Sequence, residues 1–516
     1  MYPGKDALEF ADRPAIIMAK SGRTVTYGEY EANSNRLAHL FEQSGLEYAD
    51  HVAYFMENNA RLFECEGAAE RSGLYYTLVN SFLSPDEAAF IINDCLAKVV
   101  ITSAAKLEVA VQLPALCPAV ERWLIVDAVN DVPGFERYEE AIEPFPTTPI
   151  EHERMGQAML YSSGTTGRPK GIYRGLVDAG PGDDQKTALS FAVDRWGFRE
   201  GMVYLNPAPL YHSSPQSSVA AAIRLGATSV IMEKFDAAFF LELIEKYHVT
   251  HSQVVPTMFT RLLKLPDEVR TAADVSSLEF VIHAAAPCPV PVKYAMIEWL
   301  GPIIVEYAGT TEGMGMYTCN SEEWLAHPGT VGRPLFGDPV ILDEEGNALP
   351  PGTPGVIWYP GADFEYFGDP EKTAAAYDPT GQMATAGDIG YFDADGYMYF
   401  TDRQSFMIIS GGVNIYPQEI ENLLITHPKV MDAAVIGVPN DDFGEEVKAV
   451  IEVVPGVEAG PELEKELIAF CAQKLARFKL PRSVDFVDEL PRLATGKLYK
   501  RLLRDAYWAD RPNALA

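Results

Sequence analysis

Hydrophobic and polar positions along the middle of the chain switch repeatedly between a strand period and a helix period. Residues 228–232 form a short apolar strand pattern. Asp236 then stands where an N-cap is wanted, and Phe239, Phe240, Leu243, Ile244 and Tyr247 recur at helical spacing. Residues 249–255 return to β character, 280–282 form another strand, 292–300 a helix, and 303–307 a further strand. This alternation predicts a mostly parallel sheet covered by helices. Ligands in such folds sit beyond the carboxyl ends of strands. The segments Ala284-Ala285-Ala286-Pro287 and Tyr307-Ala308-Gly309-Thr310-Thr311-Glu312 fall there.

The pattern changes from about Gln404. Pro417 opens a helix at its first turn. Residues 430–438 and 446–453 read as strands, 462–477 as an amphipathic helix, and 483–487 as a strand. That is a small α+β domain. No low-complexity linker or internal repeat marks the boundary. The expected fold class is therefore α/β: β/α alternation followed by a small α+β region.

Composition narrows the function. A chain of 516 residues is too long for one core of ordinary size, and 47% hydrophobic content suits sizeable cores. Lys+Arg is 41 against Asp+Glu 73, a net charge of −32. A field of that sign opposes nucleic acid and anionic membrane surfaces. Wherever an anionic ligand binds, the field must be reversed locally. The six cysteines, Cys65, Cys95, Cys117, Cys288, Cys319 and Cys471, form no C-x-x-C pair. A disulfide framework or zinc site is not expected, and a reducing cytoplasm is. The first residues lack the charged and apolar regions of a signal peptide, and no apolar run approaches the roughly 20 residues of a spanning helix.

The richest chemistry lies in Tyr161-Ser162-Ser163-Gly164-Thr165-Thr166-Gly167-Arg-Pro-Lys170-Gly171. Glycines let backbone N–H groups approach an anion, hydroxyls add donors, and a lysine adds a point charge. Together they suit a polyphosphate. This is not the common P-loop, because Pro169 stands where that motif needs glycine. Four motifs follow in order: Glu306-Tyr-Ala-Gly-Thr-Thr-Glu312-Gly, Thr385-Ala-Gly-Asp388-Ile-Gly-Tyr-Phe, Thr401-Asp-Arg403 leading into Gly411-Gly412-Val-Asn-Ile-Tyr-Pro-Gln-Glu-Ile-Glu421, and Pro491-Arg-Leu-Ala-Thr-Gly-Lys497.

Together the five motifs resemble the adenylate-forming superfamily of acyl-CoA synthetases, luciferases and peptide-synthetase adenylation domains. The text around them looks most like bacterial acyl-CoA synthetases. The resemblance implies a division into 1–403, a large, multi-lobed N-terminal domain with β/α sheets that binds AMP and the acyl group, and 404–516, a small mobile α+β C-terminal domain carrying the catalytic lysine. It implies ATP, Mg²⁺ and coenzyme A as cofactors and a small-molecule carboxylic acid as substrate.

Residue by residue, the resemblance assigns Ser162, Ser163, Gly164, Thr165, Thr166, Gly167 and Lys170 to the β- and γ-phosphates. It assigns Thr311 to the α-phosphate and Glu312 to Mg²⁺. Ala285, Ala286, Tyr307, Ala308, Gly309 and Thr310 fall on the nucleotide side. Asp388 would accept hydrogen bonds from the ribose hydroxyls, with Arg403 beside it on ribose or phosphate. Lys497 would bridge the substrate carboxylate and the α-phosphate. His212 would gate the acyl pocket, with Ala284 in its wall. Ser405 would be the hinge, and Gly411 and Gly412 would line the channel for CoA.

Three positions depart from the family pattern. Ala308 stands where a tyrosine is common; either Tyr307 replaces it or adenine loses a stacking face, on the order of 1 kcal/mol. Ala284-Ala285-Ala286 stands where relatives often have Gly-Gly-Ala, narrowing the space near the acyl carboxylate. Ser405 stands where Asp or Lys is usual.

The expected activity is an ATP-dependent acid–thiol ligase that forms an acyl-adenylate and passes the acyl group to CoA. The alternatives are an adenylating enzyme that loads a carrier protein, and a catalytically dead nucleotide-binding protein. The small residues of Leu210-Tyr-His-Ser-Ser-Pro-Gln-Ser-Ser-Val-Ala-Ala-Ala suggest room for a hydrophobic acid, fatty, aromatic or polycyclic; alternatively they pack a helix. A homodimer is compatible with this reading.

Overall fold

The computed structural model describes residues 6–162, 169–181, 186–343, 345–492 and 498–509. The chain forms two compact units. One comprises Met1–Val254, Leu265–Ile282 and Asp363–Ala375; the other comprises Val255–Lys264, His283–Ala362 and Ala376–Ala516. A division after Arg403 falls inside the second unit.

The first unit is built on parallel strands, as the pattern predicts. Six of them lie in the order Glu136–Arg137, Arg122–Val126, Val99–Ser103, His51–Phe55, Tyr75–Leu78, Gln157–Ala158, every neighbouring pair parallel. His51–Phe55 and Val99–Ser103 are buried at every position. Strands covered on both faces are continuous apolar runs rather than alternating ones. A second parallel group joins Pro14–Met18, Thr228–Ile231, Val203–Asn206 and His251–Val254. Asp236 caps the helix Ala237–Tyr247 by accepting the Phe239 N–H, and Phe240, Leu243 and Ile244 form its buried face.

The second unit holds mostly antiparallel pairings, with Ser483–Val487 parallel to Gly444–Val453. Ile304–Gly309 pairs with Met316–Cys319, and Asp388–Phe392 with Met398–Arg403. A further sheet combines Ile408–Ser410, Val413–Ile415, Val430–Asn440, Gly444–Val453 and Ser483–Val487. One of its faces buries Ile415, Val435, Val447 and Ile451 with Ile420, Leu424, Leu463 and Leu467 from helices Pro417–Leu424 and Pro461–Ala472. The other buries Ile436, Val438 and Val450 with Leu503 and Tyr507 of helix Lys500–Trp508. This is the small α+β arrangement read from the sequence.

One element is shorter than its pattern. The helix expected over 462–477 ends at Ala472. Leu463, Leu467, Cys471 and Leu475 continue an i, i+4 series. The backbone nevertheless turns at Gln473–Leu475, with the Lys474 and Leu475 N–H groups both on the Cys471 carbonyl. Leu475 and Leu480 then pack onto the same core from a non-helical segment. Among the described residues, no helix is long and apolar enough to cross a membrane.

Candidate active site

Within the second unit, a cavity of about 250 Å³ is lined by Ala285, Ala286, Tyr307, Ala308, Gly309, Asp388 and Arg403. These are seven of the positions that the sequence assigns to the nucleotide, drawn from four separate stretches. Strand Ile304–Gly309 carries Tyr307, Ala308 and Gly309 to its carboxyl end. The chain then turns tightly: the Gly313 N–H donates to the Thr310 carbonyl at 2.9 Å. Thr311 and Glu312 occupy the two central positions of that turn, both half-buried.

Asp388 and Arg403 come together through strand register. They are paired positions of an antiparallel ladder, and Arg403 Nε lies 2.9 Å from Asp388 Oδ1. The Asp388 carboxylate, acting against the cost of burial, raises the Arg403 pKa, and Glu312 and Asp402 add to the same field. Glu312 therefore sits within electrostatic reach of the pair. Asp402 has a different task. Its Oδ2 accepts the Gln418 N–H at 3.0 Å, and its Oδ1 accepts the Arg403 N–H at 2.7 Å. Helix Pro417–Leu424 makes no side-chain cap bond at Tyr416. Asp402 supplies that acceptor from outside the helix and so ties it to the arginine.

Ala284 is buried, whereas Ala285 and Ala286 are exposed. Ala285 has φ of 77°, a left-handed conformation that costs a side-chain-bearing residue energy. Glycine would relieve it, and glycine is what the family pattern often has there.

The phosphate motif belongs to the first unit. Tyr161–Ser162 pairs with Lys170–Tyr173 in an antiparallel hairpin, Lys170 opposite Ser162. Tyr161 Oη donates to Asp94 at 2.5 Å, and the Lys170 ammonium lies 4.3 Å from the Tyr366 ring centre. A Cβ at Gly171 would come within 2.9 Å of the Tyr161 ring, so this position needs glycine for close approach. Ser163, Gly164, Thr165, Thr166 and Gly167 lie outside the described residues, as does Lys497.

His212 precedes helix Ser213–Arg224 at its N-cap position, its ring 4.3 Å from that of Tyr211. The small-residue run after it is that helix, and Pro215, Gln216, Ser218, Val219 and Ala222 are on its buried side. Gly411 and Gly412 form the two-residue turn between Ile408–Ser410 and Val413–Ile415, both with positive φ, 57° and 80°. A two-residue hairpin with both central residues left-handed selects glycine. Ser405 lies in a short 3₁₀ turn directly after Arg403 and is exposed.

Sequence reasoning missed several charged residues of the same cavity. Lys500 and Glu421 form a buried ion pair at 2.8 Å, and Glu421 Oε1 also accepts the Val435 N–H at 2.6 Å. Burial pushes the Glu421 carboxyl up, against the pull of Lys500. The Arg492 guanidinium grips Asp432, with its Nη2 2.6 Å from Oδ1. Glu421 closes the motif that begins at Gly411, but nothing local to the motif gives it a partner or a role.

Comparison with known proteins agrees with this geometry. The AMP-binding enzyme family matches residues 5–364, and the AMP-binding enzyme C-terminal domain matches 419–497. The fatty acid–[acyl-carrier-protein] ligase ScoC of Streptomyces coeruleorubidus is 31% identical over 511 residues, covering 96% of this chain and 94% of its own. The crotonobetaine/carnitine–CoA ligase of Proteus mirabilis is 31% identical over 531 residues, covering 97% of each. Among solved structures, the anthranilate CoA ligase AuaEII in complex with anthranoyl-AMP superposes with a TM-score of 0.82 at 25% identity, over 98% of this chain and 96% of that one. ATP-bound MatB from Rhodopseudomonas palustris gives 0.80 at 28% identity over 99% of each. Motif order, fold and the full-length similarity lead to one conclusion: this chain belongs to the AMP-binding enzyme family, within the adenylate-forming superfamily.

Proposed function

We propose that the protein is an ATP-dependent ligase that joins a hydrophobic carboxylic acid, fatty, aromatic or polycyclic, to coenzyme A through an acyl-adenylate. The convergence of Asp388, Arg403, Ala285–Ala286 and Tyr307–Gly309 on one cavity carries this reading. In it, Asp388 accepts from the ribose hydroxyls, and Arg403, held charged by Asp388, faces ribose or phosphate. Thr311 meets the α-phosphate. The 162–170 motif, with Lys170, holds the outer phosphates. Lys497 balances charge between carboxylate and α-phosphate as the acyl-adenylate forms.

Glu312 fits a hard cation. It is a half-buried carboxylate at the corner of a tight turn, beside the Asp388–Arg403 pair, and Mg²⁺ characteristically takes one or two carboxylates and otherwise phosphate oxygens and water. When bound there, Mg²⁺ supplies charge neutralisation for the departing pyrophosphate. In the same reading 404–516 moves as a domain against 1–403, about Ser405, and brings Gly411 and Gly412 toward the acyl-adenylate. Cytoplasmic residence belongs to it, and a homodimer suits it as well as a monomer does.

Acid-dependent exchange of pyrophosphate into ATP tests the first half-reaction, over a panel from acetate through benzoate and decanoate to a steroid-like acid. No exchange with any acid overturns the reading, and acetate as the best substrate overturns the hydrophobic pocket. The second reading, loading of a carrier protein, is favoured by the similarity to the Streptomyces ligase. Supplying CoA and a phosphopantetheinylated carrier side by side separates the two.

A further inference from the structure

At the cavity wall, which Glu306 itself helps to line, lies a charge cluster that the ligase reading does not use. Glu306 is 3% exposed and Lys293 is fully buried, with Lys293 Nζ 2.5 Å from Glu306 Oε2. His283, also fully buried, places its Nε2 3.3 Å from the same oxygen. The face of Trp324 closes the other side of the ammonium, 4.8 Å from ring centre to Nζ. Burial works against the charge on Glu306, yet Lys293 and His283 outweigh it and hold that carboxyl below its usual range.

The placement of these residues along the chain gives the cluster its meaning. His283 directly precedes Ala284-Ala285-Ala286, and Glu306 directly precedes Tyr307-Ala308-Gly309. Lys293 stands on helix Val290–Leu300, which begins three residues after Pro287. Glu306 thus lines the cavity itself, and His283 and Lys293 are each one short link from a segment that does. Ala285, two residues beyond His283, is held at φ 77°. A strained residue of that kind persists only where its surroundings over-determine it.

A fully buried ion pair is a poor source of stability, because its desolvation cost rivals its attraction, and well-packed apolar residues serve at least as well. A registry role accounts for it better. We propose that the Lys293–Glu306–His283 cluster is a positioning strut: it fixes the Ala284–Ala286 and Tyr307–Gly309 segments relative to each other, and so sets the geometry in which the nucleotide is held. Lys293 and Glu306 are positioning residues that act through these segments.

The proposal rests on the ligase reading for the ligand, so binding is measured directly. Isothermal titration of ATP with Mg²⁺ is run on the wild type, on Lys293→Met, and on Lys293→Met/Glu306→Leu, alongside thermal melting. If the wild type does not bind ATP, it is the ligase reading that fails. Given wild-type binding, the expected result is ATP affinity at least tenfold weaker in both variants, with the double variant melting at or above the wild-type temperature. In turnover the loss falls on KM for ATP, with kcat within threefold. A folded variant that binds ATP within threefold of wild type overturns the strut, as does a defect confined to kcat. A double variant that no longer folds makes the pair a stability element and overturns the strut equally.

Discussion

Asp388 and Arg403 face each other as partner positions of an antiparallel ladder, Oδ1 to Nε at 2.9 Å, at the wall of the cavity that also holds Tyr307 and Ala285. The two residues come from separate motifs, and strand register alone brings them together. One consequence is that Asp388 serves two partners in the proposed reaction, the arginine and the ribose.

Replacing Asp388 by alanine removes a charged acceptor. A hydrogen bond to a charged group contributes about 1.5–3 kcal/mol, so ATP affinity should fall roughly tenfold to a hundredfold. Acid affinity should stay close to wild type. Titration of both ligands checks this; a loss confined to the acid would remove Asp388 from the ribose.

Lys497→Ala should abolish acyl-adenylate formation and spare thioester formation from supplied acyl-adenylate. The assignment gives this lysine to the first half-reaction only. Equal loss in both half-reactions of a folded variant would sink it.

Ala285→Gly tests backbone strain rather than chemistry. The left-handed region costs a non-glycine residue about 1–2 kcal/mol. Glycine returns about 0.4–1 kcal/mol of that through the greater freedom of the unfolded chain. The variant should therefore be more stable by about 0.5–1 kcal/mol in denaturant titration. A destabilised variant would show that the alanine methyl group makes packing worth more than the strain at φ 77°.

Glu66 predicts a pH dependence. It lies fully buried on helix Ala60–Arg71, where its Oε2 accepts from Gln216 Nε2 at 2.8 Å. Burial pushes its carboxyl from 4.5 up to about 8. Between those values the folded state keeps the proton while the unfolded state gives it up. Stability that is present below about pH 4.5 is thus lost as pH rises toward 8. At roughly 1.4 kcal/mol for each pH unit of that window, the loss reaches several kcal/mol. Glu66→Gln keeps an amide in place of the neutral acid. It should match wild type near pH 4.5 and be clearly more stable at pH 8 in paired unfolding curves. Parallel curves across the range would mean that Glu66 is ionised in the fold.

Much of the architecture was legible because its causes are local. The helix Ala237–Tyr247 starts where Asp236 can cap it and where the apolar spacing becomes helical. Ser483–Val487 forms a strand over the span that its pattern marks. The pattern misled where local periodicity outlasted the helix: Leu475 continues the series of Leu463, Leu467 and Cys471, but reaches the core from a turn.

The motifs that meet at the cavity were also readable, because each holds particular residue types within a few positions of one another. What the sequence by itself determined, then, is the family, the α/β class, and several of the segments that line the cavity. Tertiary structure decided which of these segments meet. The Asp388–Arg403 register, the Asp402 cap on the helix at Gln418, and the Lys500–Glu421 and Lys293–Glu306 pairs join residues distant along the chain or on different elements. Glu306 and Lys293 sit in apolar stretches, where a charge is conspicuous but its partner is unstated. Caps and periodicity depend on covalent neighbours a few residues away. A buried charge depends on whatever the whole fold packs against it, because only a partner brought close in three dimensions can offset the loss of water.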